Sequence, residues 1–146
     1  MSSKTILIAC QDDRGAESLN TFFHGMGYRV ETAKTLGELI RRVRNDSVHV
    51  LLLDDEIEGV GAWELVPLLK RINRGVQVIV ISSEESVGGV RRLRGAGIFY
   101  QAMKPLDMGE LESAVESALE KVRRESMREG VFSLLMPSSA LTLCSS

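Results

Sequence analysis

Short apolar runs, separated by segments of helical period, constrain this chain more than any other feature. Thr5 to Ala9, Tyr28 to Ala33, His49 to Asp54, Gln77 to Ser82 and Phe99 to Met103 read as strands, and several are apolar almost without a break. A strand with no polar face is buried on both sides, which is the condition of a parallel sheet covered by helices. The intervals supply the helices. Leu19, Phe22, Phe23 and Met26 fall at i, i+3, i+4 and i+7, and Leu36, Leu39, Ile40 and Val43 repeat that spacing. Thr35 and Glu38 form a capping box at the start of the second helix. Trp63, Val66, Leu69 and Ile72 mark a third, with Trp63 read as a packing residue. Ser83 to Arg94 reads as a fourth, weakened by Gly88 and Gly89 at about 1 kcal/mol each relative to Ala. It should be the loosest. Asp107 and Glu110 cap a fifth, whose face is Leu111, Val115, Ala118, Leu119 and Val122.

Strict alternation of this kind builds βαβ units into an open sheet with helices on both faces. The 146 residues, 44% hydrophobic and 26% charged, suit one globular domain and leave no room for a second. Arginine clusters at 41, 42 and 44 and at 91, 92 and 94 are balanced by acids, since 18 Lys+Arg stand against 20 Asp+Glu. They read as solvated helix faces, so no direct nucleic-acid binding is expected. Cys10 and Cys144 match no metal spacing and read as reduced thiols, with Cys10 a small buried group. His24 and His49 lack partners at metal spacing and read as structural. No apolar run approaches a membrane span, and the chain is expected to be cytoplasmic.

In an open parallel sheet, ligands gather outside the carboxyl ends of the strands, where strand order reverses. Those ends carry Cys10, Gln11 and Asp12; Asp54, Asp55 and Glu56; Ser82 and Ser83; and Lys104 with Pro105. Carboxylate oxygens suit Mg²⁺, and a lysine with a hydroxyl suits a phosphoryl group. No nucleophile and base pair suggests a hydrolase, and no glycine-rich loop follows the first strand to hold a nucleotide.

The motifs at these ends also have an order. His49-Val50-Leu51-Leu52-Leu53-Asp54 is followed by Gly59 and Glu64-Leu65; Val78 to Ser83 ends in two hydroxyls; Ala96-Gly97 precedes Lys104-Pro105 by seven residues; and Gly27-Tyr28 leads into the second strand. In this register residues 4–124 resemble the receiver domain of two-component response regulators, with 125–146 as a C-terminal tail. The resemblance implies a flavodoxin-like doubly wound (βα)5 sheet in strand order 2-1-3-4-5, in a signalling module and not an enzyme. It implies that Asp54 takes a phosphoryl group from a histidine kinase, phosphotransfer protein or small donor. Lys104 would bind the phosphoryl oxygens and Ser82 would turn inward to them. Mg²⁺ would be held by Asp54, by Gln11 or Asp12, and by the main-chain carbonyl of Glu56. A cis peptide would precede Pro105.

Several residues depart from the family pattern. Cys10 and Gln11 stand where receivers carry an acidic pair, so Gln11 offers only a neutral carbonyl oxygen and Asp12 would have to bend inward. Gln101 stands at the position of the switching aromatic, with Tyr100 displaced onto the opposite side of the strand. Glu58 and Gly61 replace a proline and an aspartate. These departures imply a weakened Mg²⁺ site. Two readings of function result. One is a receiver phosphorylated on Asp54 that signals to a downstream protein, with a homodimer through the face of the fourth helix, fifth strand and fifth helix. The other is a phosphorylation-independent pseudo-receiver that acts as a binding or dimerisation module. In the tail, the fifth helix is expected to run to about Arg128, with Gly130 as a stop. An apolar patch from Val131 to Met136 and a Ser-rich end then follow.

Overall fold

The apolar runs have no polar face to present to water, and they lie side by side in the middle of a parallel sheet. The computed structural model describes residues 4–135. In chain order its elements are β1 (Thr5–Ala9), α1 (Asp13–Gly25), β2 (Arg29–Ala33), α2 (Leu36–Val43), β3 (Val48–Asp54), β4 (Glu56–Ile57), β5 (Val60–Gly61), α3 (Ala62–Ile72), β6 (Gln77–Ser82), α4 (Val87–Gly95), β7 (Tyr100–Met103) and α5 (Met108–Leu135). The main sheet has five strands in the order β2-β1-β3-β6-β7, all parallel. This is the doubly wound order expected from the sequence, with β6 and β7 as its fourth and fifth strands.

Side chains alternate across the sheet with period two and divide the core. Leu7, Leu51, Leu53, Val78 and Val80 pack with Leu39, Val43, Leu65, Val66, Leu69 and Leu93, so α2, α3 and α4 cover one face. Ile6, Ile8, Val50, Leu52, Ile79 and Ile81 pack with Ala16, Leu19, Phe23, Leu111, Val115 and Leu119, so α1 and α5 cover the other. Gly27 and Gly97, at φ of 91° and 98°, make the left-handed turns that lead towards the two edge strands.

Some boundaries differ from expectation. β4 and β5 form a small antiparallel hairpin after β3, too short to leave a periodic signal. The fourth helix begins at Val87, not Ser83, because Ser86 Oγ caps it by accepting from Gly89 N at 3.0 Å. Gly88 and Gly89 therefore occupy its first turn and not its interior. Trp63 is 43% exposed, with the Arg92 guanidinium 5.4 Å from its ring centroid, so it is not a core residue. α5 passes through Gly130 to Leu135. Residues 136–146, which include the end of the expected apolar patch and the whole expected Ser-rich end, lie outside the described residues.

Candidate functional site

The chain reverses its direction across the sheet between β1 and β3, so the carboxyl ends of those strands face a shared crevice. Asp54 ends β3, Cys10 follows β1, Ser82 ends the neighbouring β6, and Lys104 follows β7. The helical crossovers between parallel strands bring these residues to one end of the sheet. Asp54 Oδ1 accepts from Lys104 Nζ at 2.9 Å and from its neighbour's amide, Asp55 N, at 2.9 Å. The hydrogen bond to Asp54 holds the Lys104 ammonium above its usual pKa, with the charges of Asp54 and Asp55 adding to the effect and burial opposing it. The peptide bond between Lys104 and Pro105 is cis. A cleft of about 150 Å³ beside this pair is lined by Cys10, Asp12, Asp54, Lys104 and Leu106 among others.

Asp54 Oδ2 meets the Cys10 thiol, which donates to it at a sulfur-to-oxygen distance of 3.7 Å. Burial raises the Cys10 pKa, and the nearby Asp54 carboxylate raises it further against the pull of the Asp12 carbonyl. The thiol therefore stays protonated at neutral pH.

Ser82 is fully buried, and its Oγ accepts from Glu84 N at 2.9 Å. Gln101 Nε2 donates to the carbonyl oxygen of the same Glu84 at 3.2 Å. Its neighbour Tyr100 packs instead with the α1 and α5 side and hydrogen-bonds Glu110. Successive strand residues point to opposite faces, so the sequence reading of this pair holds. Ser83 N donates to Asp55 Oδ2 at 3.0 Å, tying the end of β6 to the end of β3.

The donor set fits a divalent cation poorly. Gln11 Oε1 is taken by Glu58 N at 2.9 Å. Asp12 lines the cleft, but as the cap of α1 its two carboxylate oxygens accept from Arg14 N and Gly15 N. The Asp13 carboxylate is paired with Lys34. Glu56 is exposed on β4 and lines a different cleft, with Asp55, Trp63, Ser83 and Arg92. Among the described residues no group of three or more His, Cys, Asp and Glu side chains is placed to hold a metal ion. Mg²⁺ prefers a near-octahedral set of oxygens, and of the two carboxylates that line the crevice, Asp54 and Asp12, the second is engaged in capping α1. The sequence missed the two residues that decide this, Glu58 and Lys34. Glu58 carried a signal only in its departure from the family pattern.

No helix among the described residues is long and apolar enough to cross a membrane. Comparison with known proteins agrees with the geometry. The response regulator receiver domain family model matches residues 6–116. The DNA-binding transcriptional regulator NtrC of Azospirillum brasilense is 30% identical over 120 residues, which are 82% of this chain and 25% of that protein. The transcriptional regulatory protein GlrR of Escherichia coli K12 is 25% identical over 116 residues, 79% of this chain and 26% of that protein. The chain thus spans about a quarter of the length of the curated relatives it matches. Among solved structures, a CheY-like response regulator receiver domain protein from Methanospirillum hungatei superposes with a TM-score of 0.79 at 25% identity, covering 85% of this chain and 99% of that one. With its sheet order, its strand-end residues and these likenesses in agreement, the chain belongs to the response regulator receiver domain family.

Proposed function

We propose that this receiver accepts a phosphoryl group on Asp54 and signals by contact with another protein. The observation that carries the reading is the Lys104 ammonium 2.9 Å from Asp54 Oδ1, with buried Ser82 at the end of the adjacent strand. A domain serving only as a scaffold has no physical need for all three groups together.

In this reading Asp54 Oδ2 attacks the phosphorus of a phosphohistidine or a small phosphodonor, the bond to the donor breaks, and an acyl phosphate forms. Lys104 offsets charge on the transferred oxygens, the main task of a protein in phosphoryl transfer. Ser82 Oγ then turns to a phosphoryl oxygen and releases the Glu84 amide. Gln101 holds the carbonyl of the same residue, in the next peptide group, so the β6–α4 loop is held between two arrangements that the phosphoryl group biases. The output surface is the α4, β7 and α5 face, for a downstream protein or a second copy. A histidine kinase or phosphotransfer protein is the donor.

Two observations favour the second reading, a phosphorylation-independent binding module. Cys10 donates to Oδ2, the oxygen that must attack, and the donor set for a metal is poor.

Intact-mass spectrometry after incubation with a small acyl phosphate separates the two. One added phosphoryl group in the wild type, absent from Asp54→Asn and reduced at least tenfold in rate by Lys104→Ala, is the expected result. No adduct, with or without Mg²⁺, would leave the binding-module reading.

A further inference from the structure

We propose that Gln11 is a latch and not a ligand, and that it makes this site indifferent to Mg²⁺. Its side-chain oxygen accepts from Glu58 N at 2.9 Å, across 47 positions of sequence. Glu58 has φ of 49°, in the left-handed region, and its carboxylate accepts from Leu36 N at 2.6 Å. Leu36 opens α2, so one chain of hydrogen bonds joins the loop after β1, the β4–β5 turn and a helix N-terminus. Each link gives an exposed backbone amide a fixed protein acceptor in place of water, the second of them at a helix N-terminus. Withdrawing Gln11 to a cation would hand the Glu58 amide to water and break the tie between the two loops at a residue already held in an unfavourable backbone region.

The acids that follow cannot compensate, because Asp12 caps α1 and Asp13 is paired with Lys34. At the other side of the crevice a neutral thiol, and not a carboxylate, faces Asp54 Oδ2. Mg²⁺ sheds its waters reluctantly and gains little from one carboxylate whose neighbour, Lys104, already supplies a positive charge. Lys104 is therefore the resident counter-charge of Asp54. The inference concerns binding alone and holds whether or not Asp54 is phosphorylated.

Magnesium chloride titrated into the wild-type chain at constant ionic strength tests it, followed by calorimetry and by fluorescence of Trp63, the single tryptophan, which shares a cleft with Asp55 and Glu56. No saturable response through the tens of millimolar is expected. The Cys10→Asp, Gln11→Asp double variant should gain saturable binding at least tenfold tighter than any wild-type response. Saturable wild-type binding abolished by Asp54→Asn or by Asp12→Ala would overturn the proposal. So would a double variant that melts as the wild type does yet gains nothing. If the double variant fails to fold, the latch is read from amide exchange. Gln11→Ala should speed exchange at Glu58 at least tenfold, and an unchanged rate would show that the latch is not formed.

Discussion

Cys10 joins the residue-scale energetics of the site to its chemistry. Its thiol is raised by burial first and by carboxylate neighbours after that, so at pH 8 little of it is thiolate, the form that reacts. In a Cys144→Ser background, alkylation of Cys10 by iodoacetamide should run measurably slower than that of an unstructured thiol, since a raised pKa leaves less of the reactive thiolate. The mass gained with time is the measurement; a rate equal to that of a free thiol would mean that the Cys10 environment is not the one described. Asp54, Ser82 and Lys104 were legible from sequence as members of one cluster because each stands at the end of an apolar run, and strand ends of a parallel sheet converge. Which way Gln11, Asp12 and Asp13 turn was not legible. Their partners are set by two loops and a helix terminus that meet only in the folded chain, and Gln11 to Glu58 is a contact across 47 positions.

At the scale of elements, α4 is the least supported helix. Leu93 is its one large side chain in the core, and two glycines occupy its first turn. Those glycines are not equivalent. A Cβ at Gly88 would meet nothing within 4 Å, whereas one at Gly89 would lie 2.2 Å from the Glu84 side chain. Glu84 also accepts from Ser86 N and from its hydroxyl, so Gly89→Ala would disturb the cap. Gly88→Ala should stabilise the fold by about 0.4–1 kcal/mol, by narrowing the unfolded ensemble. Ser86→Ala should cost about 1 kcal/mol through loss of the cap. Urea unfolding with an unchanged slope reads both, and a neutral or destabilising Gly88→Ala would show that this turn is not helical. The periodic pattern found the helix but placed its start early. Ser82 Oγ and Ser83 N are engaged with Glu84 and Asp55 in the approach to the helix.

For the molecule as a whole, the extent of α5 sets where the receiver ends. The helix has 28 residues and so is about 42 Å long, yet among the described side chains its last buried one is Leu119. Beyond it, Arg123 pairs with Glu120 at 2.5 Å and Lys121 with Glu125 at 3.9 Å, exposed pairs at helical spacing that hold the helix along its solvent side. Met127, Val131, Leu134 and Leu135 are 59%, 54%, 87% and 77% exposed. Sequence alone suggested a stop at Gly130, because a glycine commonly ends a helix. It does not act as one here, and no turn there folds the apolar residues back onto the sheet. Among the described residues no side chain beyond Arg124 is buried, so ending the chain after Arg124 is expected to leave the core intact. Its unfolding free energy should stay within about 0.5 kcal/mol of the full chain, the range of changes at exposed positions. Thermal and urea unfolding at two protein concentrations make the comparison. A larger loss, if independent of concentration, would move the domain boundary past Arg124. A loss that grows with concentration would place the exposed apolar residues in a contact between copies, because association stabilises by mass action.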